Sequence, residues 1–207
     1  SVMVVYATFG AEPGHLLTAS LMSAPAAILM AKIMLPETEE PATRGTGRVH
    51  VPVATHNIFD AAARGTSDGL NMALHVGAMI IVFIGLVYIL NAALSAVCGL
   101  TFVDLMGYAF RPFAWVMGVP SQDIARFSQL LGTKTVLNEF LAYLNLKQSI
   151  ADQSLSPRTV TIAIYALCGF SNPGSIGIMI AGFEALVPQR RAEVTKLAVK
   201  AFIGGTL

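Results

Sequence analysis

The stretch TVTIAIYALCGFSNPGSIGIMIAGF, from Thr159 to Phe183, carries no charged residue. A continuous helix of this length would cross a bilayer, because each residue adds ~1.5 Å and the hydrocarbon core is roughly 30 Å thick. Pro173 at its centre removes a backbone donor and clashes with the preceding turn, so the stretch predicts two half-helices. Lipid cannot satisfy the backbone groups that such a break frees. They must face protein or a watery cavity, as at the substrate sites of transporters.

The composition is that of an integral membrane protein. The chain has 207 residues, of which 55% are apolar and 12% are charged, and its mean hydropathy is +0.66. Soluble domains are about 25% charged. The net charge of +1 argues against a nucleic-acid partner. The sequence has no nucleophile–base pair, phosphate loop or dinucleotide fingerprint, so we expect neither an enzyme nor an organic cofactor.

Charged, glycine-rich and proline-rich stretches divide the chain into five segments, and we expect it to be a piece of a longer protein, cut at both ends. The predicted fold is all-α, with transmembrane helices, a re-entrant helical hairpin and a broken helix. The segments are residues 1–35, the end of one spanning helix and a second span; 36–72, a cytoplasmic loop and an interfacial helix; 73–120, a scaffold span and an amphipathic surface helix; 121–148, the re-entrant hairpin; and 149–207, the broken helix and the start of a last span.

Three helices are predicted between residues 57 and 120. Residues 57–71 mix small, apolar and charged side chains and predict a helix that lies at the membrane interface. Residues 76–100 have no charge and predict a rigid spanning helix. Residues 101–120 carry aromatic side chains beside an arginine, which favours a surface helix, and Pro112 should interrupt it.

The next segment predicts two helices that are too short to span. Ser121 is a candidate N-cap for a helix over residues 122–131. Residues 132–135 (Gly-Thr-Lys-Thr) should break it, and residues 137–146 should resume it. Since a crossing needs roughly 20 residues, the two halves predict a re-entrant hairpin whose tip is lined by protein or water.

Positive charge gives a weak orientation. Loops with more Lys and Arg lie on the cytoplasmic side of a membrane. Counting spans places Arg44 and Arg48 on the same side as Arg190 and Arg191, and the small excess favours this side as cytoplasmic. The opposite side carries Arg111, Lys147 and Arg158.

Glu139 is the first candidate for chemistry, because it is the only acidic residue between Asp123 and Asp152. Burying a carboxylate at membrane depth costs several kcal/mol unless it is paired. It could accept hydrogen bonds from substrate hydroxyls, bind a coupling proton or cation, or only cap its helix. Asn138 precedes it, and Lys134 is either its salt-bridge partner or, as we expect, a solvated residue of the tip.

The break in the later helix supplies the other candidates. Asn172 and Ser175 can each donate and accept hydrogen bonds, so they could bind a hydroxyl-bearing solute. Phe170 could stack on a planar ring. Alternatively, the two polar side chains only satisfy the broken backbone while Phe170 packs. None of the four histidines has another histidine or a cysteine three or four residues away, so we expect no zinc-type metal site.

Four motifs resemble concentrative nucleoside transporters, in order and with similar spacing over nearly the whole chain, and they resemble the C-terminal part of the bacterial type. The motifs are LTASLMSAPAA at 17–27 with PETE at 36–39, AWVMGVP at 114–120, NEFLAY at 138–143 and CGFSNPGSIGI at 168–178.

The resemblance implies half of an inverted-repeat elevator transporter, assembled as a homotrimer through the long span and driven by a Na+ or H+ gradient. Residues 1–35 and 149–207 would belong to the transport domain, in its first and second repeats. Glu139 would engage the ribose of a nucleoside, with Asn172 and Ser175 beside it and Phe170 next to the base. The first hairpin and most cation ligands of that family would precede Ser1.

We therefore expect a multi-pass protein of the plasma (inner) membrane that imports nucleosides with a cation, with ribose bound between hairpin and broken helix. The alternative is a membrane receptor or scaffold that binds nucleosides through the same residues without transporting them. Gradient-driven accumulation would separate the two.

Overall fold

The computed structural model describes residues 2–38, 40, 56–186 and 188–206, which form helices and no strand. An all-α fold is therefore confirmed. The helices, in chain order, are α1 (Val2–Thr8), α2 (Pro13–Met34), α3 (Ile58–Cys98), α4 (Phe102–Val116), α5 (Ile124–Val136), α6 (Glu139–Ala151), α7 (Pro157–Leu167), α8 (Pro173–Leu186) and α9 (Arg191–Thr206), with a 3-10 turn at Pro188–Arg190.

Two of the described helices, α2 and α3, are long and apolar enough to cross a membrane. Helix α2 continues through Pro25. Helix α3 has 41 residues, so it extends over roughly 60 Å at ~1.5 Å per residue, about twice the hydrocarbon thickness. The predicted loop at 36–55 lies largely outside the described residues.

The sequence analysis predicted an interfacial helix separate from the long span. This prediction was wrong, because a single helix, α3, covers both segments. Asn57 caps the start of α3, where its side chain accepts a hydrogen bond from the Asp60 backbone N–H at 2.8 Å. Residues 72–75 (Met-Ala-Leu-His) contain neither proline nor glycine. Because no stop signal separates the polar half from the apolar half, the helix propagates through both.

The interruption expected at Pro112 was also wrong, since α4 runs through it to Val116. Pro112 is exposed, so water can hydrate the backbone carbonyl that its missing N–H leaves free. A capping box between Thr101 and Asp104 starts the helix. Helix α4 is stabilised by this cap and by its packing against α5, and together they compensate for the backbone hydrogen bond that Pro112 cannot make.

The hairpin consists of α5 and α6, but its break lies at residues 137–138 rather than 132–135. Gly132 was misread as a helix breaker. A Cβ there would lie 2.8 Å from the Val103 carbonyl oxygen, so this glycine permits a close approach between α5 and α4. The proposed cap at Ser121 was wrong as well, because the residue before α5 is Asp123, and Asp123 makes no side-chain cap.

The break in the later helix is confirmed, since α7 ends at Leu167 and α8 begins at Pro173. Around α7, the two arms of the hairpin form a core that includes the fully buried Phe127, Tyr143 and Leu167. Helix α8 packs against α3, and a Cβ at Gly177 would lie 3.1 Å from the Phe83 ring. The two chain interruptions are thereby brought to one place.

Candidate functional site

A direct hydrogen bond joins the two interruptions. The side-chain amide of Asn172, in the α7–α8 break, donates from Nδ2 to Oε2 of Glu139 at 3.2 Å. Glu139 is the first residue of α6, directly after the hairpin break. The structure therefore brings together two of the side chains that the sequence singled out, one from each interruption.

Asn172 and Ser175 also bind each other. The Ser175 backbone N–H donates to Oδ1 of Asn172 at 2.9 Å, and the Asn172 backbone N–H donates to Oγ of Ser175 at 3.1 Å. The Ser175 hydroxyl donates to the Asn172 carbonyl at 2.6 Å. This reciprocal pattern is a capping box that begins α8. Both side chains are buried, so much of their hydrogen-bonding capacity is used inside the protein.

Glu139 retains free acceptor capacity. Its carboxylate is partly buried, and Oε2 receives the Asn172 amide proton. A carboxylate offers about four lone-pair sites on its two oxygens. The Tyr6 hydroxyl of α1 lies beside it, and the Tyr6 ring stacks on Tyr143 with ring centres 4.1 Å apart. Tyr6, stacked on Tyr143, is therefore a neighbour of the Glu139 carboxylate that the sequence analysis did not identify.

Lys134 is not a solvated residue of the hairpin tip, as the sequence analysis expected. Its side chain is 6% exposed, and its Nζ donates to the Ala166 carbonyl of α7 at 3.1 Å. Helix α5 continues to Val136, so Lys134 lies on a helix packed against α7 rather than in a loop. Lys134 and the Glu139 carboxylate attract each other electrostatically.

Asn138 and Phe170 flank the two breaks. The Asn138 side chain accepts a hydrogen bond from the Leu141 backbone N–H at 2.9 Å and caps α6. It therefore fixes the first turn of the helix that carries Glu139. Phe170 is 56% exposed beside the α7–α8 break, so much of its surface is available for contact.

Asp123 fixes the hairpin to α7 at the other end, which the sequence analysis missed. One of its carboxylate oxygens accepts hydrogen bonds from the hydroxyls of Ser156 and Thr159, each at 2.6 Å, and from the Ser156 backbone N–H at 3.1 Å. Burial alone would raise the pKa of the Asp123 carboxyl, but these hydrogen bonds hold its pKa below the usual value. The sequence Ser156-Pro157 at a helix start was the available signal for the hydroxyl side of this contact.

Within the described ranges, no group of three or more His, Cys, Asp or Glu side chains is placed to hold a metal ion. His15 instead bridges two helix ends. One ring nitrogen lies 3.0 Å from the Tyr165 hydroxyl, and the other lies 3.2 Å from the Glu12 carboxylate.

A family model, individual relatives and a solved structure all match this chain to transporters. Residues 15–207 match the family described as "Na+ dependent nucleoside transporter C-terminus". The chain is 39% identical to the uncharacterized transporter YutK of Bacillus subtilis, over 100% of this chain and 52% of that protein. It is 35% identical to sodium/nucleoside cotransporter 1 of Rattus norvegicus, over 99% of this chain and 35% of that protein.

A solved structure has the same fold. The chain superimposes on CNTnw in an inward-facing substrate-bound state with a TM-score of 0.79 and 35% sequence identity, over 99% of this chain and 50% of that one. The chain thus spans about half the length of the bacterial relative and of the solved transporter. These matched proteins are named as transporters and not as enzymes.

Proposed function

This chain belongs to the Na+ dependent nucleoside transporter family, and from that premise we propose that it forms the C-terminal half of a symporter that carries nucleosides across the plasma (inner) membrane. The ribose binds between the α5–α6 hairpin and the α7–α8 break. The observation that supports this site most strongly is the hydrogen bond between Asn172 and Glu139, because it places a carboxylate with free acceptor sites where two helix breaks meet.

In this proposal the site residues have unequal roles. Glu139 is the main acceptor for ribose hydroxyls, since its partly buried carboxylate has lone pairs to spare. Asn172 contributes the second N–H of its amide. Ser175 acts through Asn172, because its hydroxyl already donates to the Asn172 carbonyl and accepts from the Asn172 backbone. The exposed ring of Phe170 contacts the base.

Lys134 and Asn138 support the site from the hairpin. Asn138 orients the first turn of α6, and Lys134 lies one turn before the break, against α7. A ligand lacking the ribose hydroxyls would leave buried partners unpaired, at a cost of about 1–3 kcal/mol for each. This cost is the basis of selectivity for nucleosides.

The driving cation is Na+, a choice that the matched family's description supports over H+. Helix α3 serves as the scaffold of a homotrimer. Large apolar side chains such as Ile81, Ile89 and Val97 are 67–86% exposed along it, so lipid or neighbouring copies must cover them in the assembled protein.

Uptake of labelled uridine into proteoliposomes tests this function in the full-length transporter. We expect accumulation when a Na+ gradient is imposed and only equilibration without it. Glu139→Ala should abolish accumulation while the protein still reaches the membrane.

Two results would contradict the proposal. Uridine binding without gradient-driven accumulation would favour the receptor or scaffold alternative. Uptake by Glu139→Ala at the wild-type rate would remove this carboxylate from the site.

A further inference from the structure

Helix α7 ends inside the protein, and both arms of the hairpin cap it. The last carbonyls of a helix have no partner within the helix. Here the Ile164 carbonyl accepts from the Tyr143 hydroxyl of α6 at 2.7 Å. The Ala166 carbonyl accepts from the Lys134 ammonium of α5 at 3.1 Å. The Ile164 carbonyl thus receives a neutral donor, and the Ala166 carbonyl receives a charged one.

The protein leaves room for that ammonium. A Cβ added at Gly169 would lie 3.2 Å from Lys134 Nζ, which is closer than an ordinary contact. Glycine at this position therefore keeps the space beside the end of α7 free for the charge. Lys134 itself is 6% exposed, so this charge lies in the interior.

Capping alone does not explain a charged donor. Burying an ammonium is costly, whereas a hydroxyl satisfies a carbonyl without that penalty, as Tyr143 does for the Ile164 carbonyl. A positive charge at this point has two favourable partners. The carbonyl end of α7 carries the negative pole of the helix dipole, and the Glu139 carboxylate attracts Lys134 from across the hairpin break.

We propose that the Lys134 ammonium is a tethered monovalent cation, built into the end of α7, that positions the hairpin and the Glu139 carboxylate against the α7–α8 break. Lys134 is a positioning residue, because it acts on the nucleoside through Glu139 and the break. This role rests on the proposed function for its effect on uptake, but the cation position itself does not depend on the nucleoside.

The test is to replace the tethered cation with a free one. In the full-length transporter, Lys134→Ala removes three methylenes and the ammonium group of the side chain, and n-propylammonium supplies the same three carbons and the same charge. We expect Lys134→Ala to lower the initial rate of uridine uptake at least about tenfold, and n-propylammonium to restore a substantial part of it. Propan-1-ol, which has a similar shape without the charge, should restore none.

Thermal unfolding of the purified protein supplies a measurement that needs no transport. n-Propylammonium should raise the unfolding midpoint of Lys134→Ala and leave those of wild type and Tyr143→Phe unchanged. Tyr143→Phe is the matched control, because it removes the neighbouring capping donor without removing a charge. If wild type fails to take up uridine, the proposed function fails, while this unfolding measurement still decides whether the cation position exists.

Gly169→Ala gives a second test with Lys134 intact. Its methyl group displaces the end of a flexible side chain, so folding should survive while uptake falls severalfold. Gly182→Ala is the control, since nothing lies within 4 Å of a Cβ there. Three results would overturn the proposal. One is wild-type uptake by Lys134→Met, which keeps an unbranched side chain of similar length without the charge. The others are no response of Lys134→Ala to n-propylammonium and equal rescue of this variant by propan-1-ol.

Discussion

Asn172 and Glu139 are 33 positions apart in sequence, yet the amide of one donates to the carboxylate of the other at 3.2 Å. Each lies at the start of a helix that follows a break, α8 for Asn172 and α6 for Glu139. Because the positive poles of both helices point toward this pair, a carboxylate is favoured there. The pair defines the centre of the proposed nucleoside site.

Asn172→Asp should prevent nucleoside binding in the full-length transporter. The change replaces the amide donor with a second carboxylate facing Glu139, and like charges at hydrogen-bonding distance repel. The introduced carboxylate can still cap α8 through its other oxygen, so the fold should survive. Uridine uptake and membrane expression check this, and wild-type uptake would show that the amide is dispensable.

Ser175→Ala should weaken nucleoside binding without abolishing transport, because the Ser175 hydroxyl holds Asn172 rather than the ligand. Loss of one such buried hydrogen bond costs about 0.5–1.5 kcal/mol, which corresponds to a roughly 2- to 13-fold rise in KM. Concentration-dependent uptake measures this. A complete loss of uptake at saturating uridine would instead place Ser175 among the essential ligand contacts.

Asn138→Ala should destabilise the protein by about 0.5–2 kcal/mol and also lower its affinity for uridine, because Asn138 caps the helix whose first residue is Glu139. Asn57→Ala is the matched control, since Asn57 caps α3 in the same way. We expect a similar loss of thermal stability from Asn57→Ala with unchanged affinity. Equal affinities for both variants would show that capping does not orient Glu139.

Gly132→Ala should destabilise the contact between α4 and α5 by about 1–3 kcal/mol. The added Cβ would lie 2.8 Å from the Val103 carbonyl oxygen and 3.0 Å from the Gly107 nitrogen, and neither backbone atom can move cheaply. Gly85→Ala on α3, where the space is open, should have little effect. Unfolding midpoints in detergent compare the two, and equal midpoints would contradict the close approach.

Asp123 should make stability depend on pH in the acid range. Because its pKa is lower in the folded protein than in the unfolded chain, its carboxylate contributes stability above the unfolded pKa of about 3.9. That contribution disappears as the pH falls through the lower, folded pKa. Asp123→Asn should therefore be less stable than wild type at neutral pH, and the difference should shrink below about pH 4. A difference that is constant from neutral to acid pH would exclude this account.

Local chemistry made part of the fold predictable. The break before Pro173 follows from a proline and glycines within a few residues of each other, so no distant contact was needed to foresee it. Glu139 and Asn172 could be singled out because polar side chains are costly inside a membrane. That they form a direct hydrogen bond depends on how the hairpin packs on α7, which no local pattern specifies.

The wrong predictions at the hairpin have a common physical cause, which is tertiary packing. Gly132 looks like a helix breaker in sequence, but it lies where the backbones of α4 and α5 meet. Lys134 has the composition of a solvated tip residue, but it is buried against the end of α7. The role of Ser175 was open from sequence, and the structure shows its hydroxyl engaged with Asn172.

The most direct test is the equilibrium dissociation constant of the full-length transporter for uridine and for dideoxyuridine, measured for wild type and Glu139→Gln. Wild type should bind uridine at least about tenfold more tightly than 2′,3′-dideoxyuridine, because the analogue lacks the 2′ and 3′ hydroxyls and leaves the Glu139 carboxylate without these donors. The Glu139→Gln variant should bind both nucleosides weakly, and most of the difference between their dissociation constants should disappear. Discrimination by Glu139→Gln equal to that of wild type would show that the ribose is not recognised where the two helix breaks meet.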